Sequence, residues 1–116
     1  MADHDADCLF CRIAAGEIPA EIVRSDDQVV VFRDINPKAP THLLAIPRRH
    51  IASAAELTDQ DGPLLAALFG TLRDLAAEAG VGGYRIVTNV GPDAGQSVFH
   101  VHFHLLAGRS MAWPPG

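Results

Sequence analysis

Hydrophobic positions set two periods along this chain. Leu64, Leu65, Leu68, Phe69, Leu72, Leu75, Ala76 and Ala79 recur every three to four residues, the spacing of one helical face, and Gly80 supplies the stop. Just before them, Thr58-Asp59-Gln60-Asp61-Gly62-Pro63 offers a cap, first-turn acids and an early proline, so the helix starts in that stretch. From Phe99 to Leu106 the period is two: His100, His102 and His104 fall on one side, and Phe99, Val101, Phe103 and Leu105 on the other. That alternation predicts a strand carrying a row of imidazoles on an apolar backing.

Shorter signals fill in the rest. Leu43-Leu44-Ala45-Ile46, closed by Pro47, is an apolar run that predicts a strand covered on both faces. Glu21–Arg24 and Gln28–Arg33, divided by the turn chemistry of Ser25-Asp26-Asp27, read as a hairpin. Arg85–Val90 reads as a strand, and the Gly-rich loop Gly91–Ser97 leads from it into the histidine row. Cys8–Gly16 reads as a short helix with Cys8 and Cys11 on one side, and Ala52–Leu57 as a helical turn. Asp34–Pro40, with two prolines, is loop, and the Pro-rich tail from Met111 onwards is irregular. This order predicts an α+β fold: a mainly antiparallel sheet with one long helix and a short N-terminal helix against one of its faces.

A chain of 116 residues with 48% apolar content suits one domain, residues 1–116, with its own core. Residues 1–7 are expected to be flexible. The net charge of -5 argues against a general nucleic-acid or acidic-membrane partner, so any anionic ligand needs local donors. The acidic start lacks the basic and apolar regions of a secretory signal, and no apolar run is long enough to span a membrane, so a cytoplasmic location is expected. Cys8 and Cys11, the two cysteines, are too few for a disulfide framework and read as reduced thiols or metal ligands.

The histidine row has three readings. It can be a tolerated polar face of an amphipathic strand. It can bind a metal, since alternate strand positions lie roughly 6.5–7 Å apart and neutral His is a frequent ligand, although no nearby Asp or Glu completes a catalytic set. Or it can act on a phosphoryl group, one neutral imidazole attacking phosphorus while a protonated neighbour neutralises oxygens; a free pKa of about 6.5 would let one row hold both forms. Gly95-Gln96-Ser97 offers backbone N–H groups, an amide and a hydroxyl beside the row, donors that a phosphate would use.

His100-Val101-His102-Phe103-His104-Leu105-Leu106 resembles the signature of the histidine triad superfamily. Phe32 through His42, Ile46-Pro47-Arg48-Arg49-His50-Ile51, Asn89, Gly95-Gln96-Ser97, and Gly108-Arg109 through Trp113-Pro114-Pro115-Gly116 resemble its branch of histidine triad nucleotide-binding proteins. The resemblance implies an α+β homodimer, residues 107–116 forming a tail at the dimer interface, that hydrolyses P–N bonds of adenosine 5′-phosphoramidates as a purine nucleoside phosphoramidase. It implies His102 as the nucleophile that carries the nucleotidyl group, His104 as a phosphate contact, and His42 and His100 as residues that orient or share protons with the central ring. Ser97 resembles the side chain near the leaving group, and Asn89, Gly95 and Gln96 neighbours of the phosphate. Asp34 resembles the ribose-hydroxyl acceptor, Phe10, Ile13 and Ile35 the apolar walls around the base, and Trp113 a residue reaching towards the partner's site.

One departure stands out. Relatives with this tail often lack the cysteine pair, whereas Cys8-x-x-Cys11 with His50 and His100 resembles the zinc set of other members, a closed structural site. A liganded His100 could not relay protons freely. Catalysis itself is expected to need no cofactor. Hydrolysis of dinucleoside polyphosphates, nucleotidyl transfer, and a non-catalytic nucleotide-binding or scaffold dimer are the competing functions, because each uses the same row.

Overall fold

The long hydrophobic repeat becomes helix α2 (Gly62–Ala79) in the computed structural model, which describes residues 4–116. Thr58 and Asp61 form a capping box before it, Pro63 sits in its first turn, and Gly80 ends it at φ 69°, a left-handed conformation that costs glycine nothing. Leu64, Leu68, Leu72 and Leu75 are its buried stripe.

Five strands make one sheet: β1 (Ile22–Ser25), β2 (Val29–Arg33), β3 (Thr41–Pro47), β4 (Tyr84–Val87) and β5 (Phe103–Ala107). Their spatial order is β1-β2-β3-β5-β4, with every neighbouring pair antiparallel. The mixed α+β class, the antiparallel sheet, the long helix and the short helix α1 (Leu9–Ala14) all agree with the sequence reading.

The two helices do not share a face. Val29, Val31, Leu43, Ala45, Phe103 and Leu105 pack against α2, whereas Val30, Phe32, Leu44 and Ile46 pack against Phe10, Cys11 and Ile13 of α1 on the opposite side. Successive strand residues point to opposite faces, so the unbroken apolar runs of β2 and β3 need a cover on each.

The histidine strand is also shorter than its alternation suggests. Regular pairing begins at Phe103, opposite Ala45, and His100 and His102 precede it in irregular backbone. Pro47 ends β3 and has no N–H to offer, and its carbonyl is taken by the His100 ring at 2.7 Å. Phe99 accordingly leaves the core side and is exposed.

Of the stretch expected to be flexible, residues 1–3 lie outside the described residues. Asp5–Asp7 leads into α1 through a turn: the Asp5 carbonyl accepts from Cys8 N–H at 3.0 Å and the Asp5 N–H points at Cys11 Sγ at 3.4 Å. Among the described residues, no helix is long and apolar enough to cross a membrane.

Candidate active site and metal-ligand cluster

Strand parity places His42, Leu44 and His104 on the α1 side of the sheet, together with Phe32. There the chain forms a cleft of about 410 Å³. Phe10, Ile13, Ile18, Phe32, Leu44 and Val98 give it apolar walls, Ile35 stands 96% exposed at its rim, and Asp34, Ser97, His102 and His104 supply its polar groups. Seven of the residues singled out from the sequence thus converge: Phe10, Ile13, Asp34, Ile35, Ser97, His102 and His104.

The hydrogen bonds fix which ring nitrogens carry protons. His102 Nδ1 lies 2.8 Å from the His100 carbonyl, which can only accept, so Nδ1 bears the proton and Nε2 keeps a lone pair. The Phe10 ring meets His102 edge to face at 5.0 Å and limits its rotation. A second chain starts at the main chain of Lys38, whose N–H donates to His42 Nδ1 at 3.0 Å. His42 therefore carries its proton on Nε2 and donates to His104 Nδ1 at 2.9 Å, which leaves His104 Nε2 as an N–H donor. His42 and His104 are diagonal neighbours across β3 and β5, a position within reach of ring side chains.

Burial lowers the pKa of His42, His102 and His104. For His104 the neighbouring His102 and His42 add to burial and Asp34 opposes them, leaving it at about 4. The row is thus neutral in the free protein, which corrects the expectation of mixed protonation: removing imidazoles from water disfavours the charged form of each. His104 Nε2 accordingly faces the cleft as a neutral N–H donor.

Some of the expected residues are placed differently. His42 reaches His104 and not the central His102. Asp34 turns one carboxylate oxygen to Asn36 N–H at 2.8 Å, as a turn residue would, while the other lies 3.4 Å from His42 Nε2 beside the cleft. Asn89, Gly95 and Gln96 are not among its lining residues. Gln96 is buried, accepting from Gly91 N–H and donating to the carbonyls of Ala52 and Val98, so its side chain braces the loop. The N–H groups of Gly95 and Gln96 are spent on Pro92 and Gly91, and are not free for a phosphate. Trp113 is 83% exposed on a tail tied down by Arg85, which donates to the Ala112 carbonyl at 2.9 Å. Ile18 and Val98 are cleft residues that the sequence did not signal, because apolar residues in connecting segments carry no period.

Behind His102 lies a second cluster. Cys8 Sγ, Cys11 Sγ, His50 Nδ1 and His100 Nδ1 all fall within 4.8 Å of one another. Sulfur to nitrogen separations are 3.4 Å for Cys8–His100, 3.3 Å for Cys11–His50 and 3.5 Å for Cys11–His100. Tetrahedral Zn with bonds of about 2.3 Å to sulfur and about 2.0 Å to nitrogen would place S and N roughly 3.5 Å apart. His100 is fully buried and its Nε2–H faces the Pro47 carbonyl, so Nδ1 is presented with a lone pair as a ligand requires. The chemistry of the donor set therefore fits zinc. Asp34, His42 and His104 also lie within 4.8 Å, but the Lys38 N–H occupies His42 Nδ1 and forces the proton onto Nε2, an arrangement that suits a hydrogen-bond chain and not a ligand.

Burial and the neighbouring Cys8 thiol raise Cys11 to about 11, while a hydrogen bond from the Asp5 backbone opposes them. Burial, His50 and His102 lower His100 to about 4 against the Pro47 bond.

Residues 7–113 match a family described as scavenger mRNA decapping enzyme C-term binding. The chain is similar to a HIT family hydrolase of Legionella pneumophila, with a TM-score of 0.93 and 52% identity, covering 95% of this chain and 100% of that one. A 14 kDa zinc-binding protein of Zea mays is 43% identical over 115 residues, 97% of this chain and 90% of its own. A histidine triad nucleotide-binding protein of Candida albicans superposes with a TM-score of 0.78 at 31% identity, covering 93% and 83% of the two chains.

Proposed function

The chain belongs to the histidine triad family, matched over nearly its whole length, and on that premise we propose that it is a purine nucleoside phosphoramidase of the nucleotide-binding branch. The hydrolase and nucleotide-binding character rests on relatives named for both. The covalent mechanism within this reading is supported by one observation: His102 lines the cleft with Nδ1 held by a carbonyl and Nε2 free.

In the proposed reaction, His102 Nε2 donates its lone pair to phosphorus. The P–N bond breaks and its electron pair leaves on the amine nitrogen, which takes one proton from the Ser97 hydroxyl while solvent at this exposed residue returns one to Ser97. The imidazolium so formed keeps its Nδ1–H on the His100 carbonyl, which stabilises the charge. His104 Nε2–H donates to a phosphoryl oxygen. Water then displaces His102 from phosphorus and releases one proton, restoring the neutral ring. Asp34 accepts from the ribose hydroxyls, and the apolar walls take the purine.

Cys8, Cys11, His50 and His100 would hold a structural zinc, a reading supported by the donor geometry and by a relative named as a zinc-binding protein. The ion would tie α1 to the base of the site, and His100 as a ligand would take no part in proton transfer. A homodimer in which Trp113 approaches the partner's cleft completes the proposal.

The deciding experiment is rapid-quench mass spectrometry with an adenosine phosphoramidate. Wild-type protein is expected to show an AMP adduct on His102. His102→Ala should lose the adduct and turnover while still binding AMP. Full turnover by that variant overturns the covalent mechanism.

A further inference from the structure

We propose that Thr88 is a positioning residue for His102. This rests on the nucleophilic role proposed above for that histidine.

His102 stands one residue outside the sheet. β5 begins at Phe103, where it meets Ala45 of β3, and on the other side β4 ends at Val87, opposite His104. A side chain on a strand inherits its direction from a ladder of backbone bonds, but residues 100–102 belong to no ladder. Upstream, Val101 N–H is fixed on the Ile51 carbonyl at 2.6 Å. Downstream, the part-buried Thr88 hydroxyl donates to the His102 carbonyl at 2.8 Å.

Thr88 follows directly on the last residue of β4, so its side chain takes over where the backbone pairing between β4 and β5 stops. The bond sets the plane of the peptide after His102 and with it the direction in which the imidazole leaves the backbone. The ring bond to the His100 carbonyl then fixes its rotation. A β-branched Thr holds its hydroxyl in few rotamers, which makes it a stiff anchor. Stiffness matters because a displacement of about 1 Å at a reacting atom costs about a hundredfold in rate.

The test compares Thr88→Val, which keeps the branched shape without the donor, with Thr88→Ser, which keeps the donor. The rate of nucleotidyl-His102 formation, KM, the melting temperature, and NMR exchange protection of the His102 Nδ1–H are measured on the whole protein. Thr88→Val should slow adduct formation about ten- to hundredfold with KM unchanged, and should lose protection of that proton. Thr88→Ser, which keeps the donor without the branch, should recover most of both. Wild-type rate and protection in Thr88→Val overturn the proposal. So does a variant whose KM and melting temperature move together with the rate and which Ser fails to rescue. A wild-type protein that forms no adduct strikes at the covalent mechanism instead, and the protection measurement then decides the role of Thr88 alone.

Discussion

His104 is where the chemistry of a single residue makes a quantitative demand. Burial, with His102 and His42 beside it, holds its pKa at about 4. The unfolded chain, with an ordinary imidazole near 6.5, takes up a proton first as pH falls. Stability from this residue is therefore complete above about 6.5 and is lost progressively as pH drops towards 4. The same neutrality is what the proposed donor role needs, because the Nδ1 that accepts from His42 cannot be protonated. In an NMR titration the His104 ring should show a midpoint near 4, and the part of kcat/KM that depends on His104 should stay level down to about pH 5 before it declines. A midpoint at an ordinary imidazole value would refute the chain of tautomers that starts at Lys38. That chain was not legible in the sequence, since its first donor is a backbone N–H and its link between His42 and His104 depends on strand register. The row itself was legible as imidazoles sharing one side, although alternation alone left a polar face, a metal site and phosphoryl chemistry open.

At the level of elements, α2 is the part whose energetics are separable from the site. Leu68 is fully buried in the core on the α2 face, while the cleft lies on the other side of the sheet. Leu68→Ala should destabilise the fold by about 2–5 kcal/mol while leaving AMP affinity unchanged, measured by denaturant unfolding and calorimetric titration at a temperature where the variant is folded. A matching loss of affinity would show that the two faces are coupled through the sheet. Amphipathic periodicity made α2 readable residue by residue, since the signal is local. The helix α1 was readable as a helix but not as the cover of the opposite face. Val29-Val30-Val31-Phe32 and Leu43-Leu44-Ala45-Ile46 are apolar at every position and so carry no parity to say which side is filled by what. The late start of β5 was hidden for a related reason: the alternation of residues 99–106 continues through it, and the limit is set by Pro47 on the neighbouring strand.

The whole molecule is a sheet with unequal covers. One side has an 18-residue helix and a broad aliphatic core, and the other has the 6-residue α1 with a smaller cluster. So short a helix has little stability of its own and depends on what fastens it. The cluster of Cys8 and Cys11 at its start with His50 and His100 is placed to do that, and Phe10 and Ile13, two walls of the cleft, ride on the same helix. Metal bound only by the folded state stabilises that state by mass action. Protein prepared without chelator is therefore expected to carry one zinc per chain. Removing it should lower the melting temperature and weaken AMP binding, because the cleft loses its wall, while most helical circular dichroism survives in α2. Cys8→Ala with Cys11→Ala should reproduce the chelated state. If chelated protein melts and binds AMP as before, then the apolar contacts of Phe10 and Ile13 alone hold α1, and the four donors are not a structural zinc site.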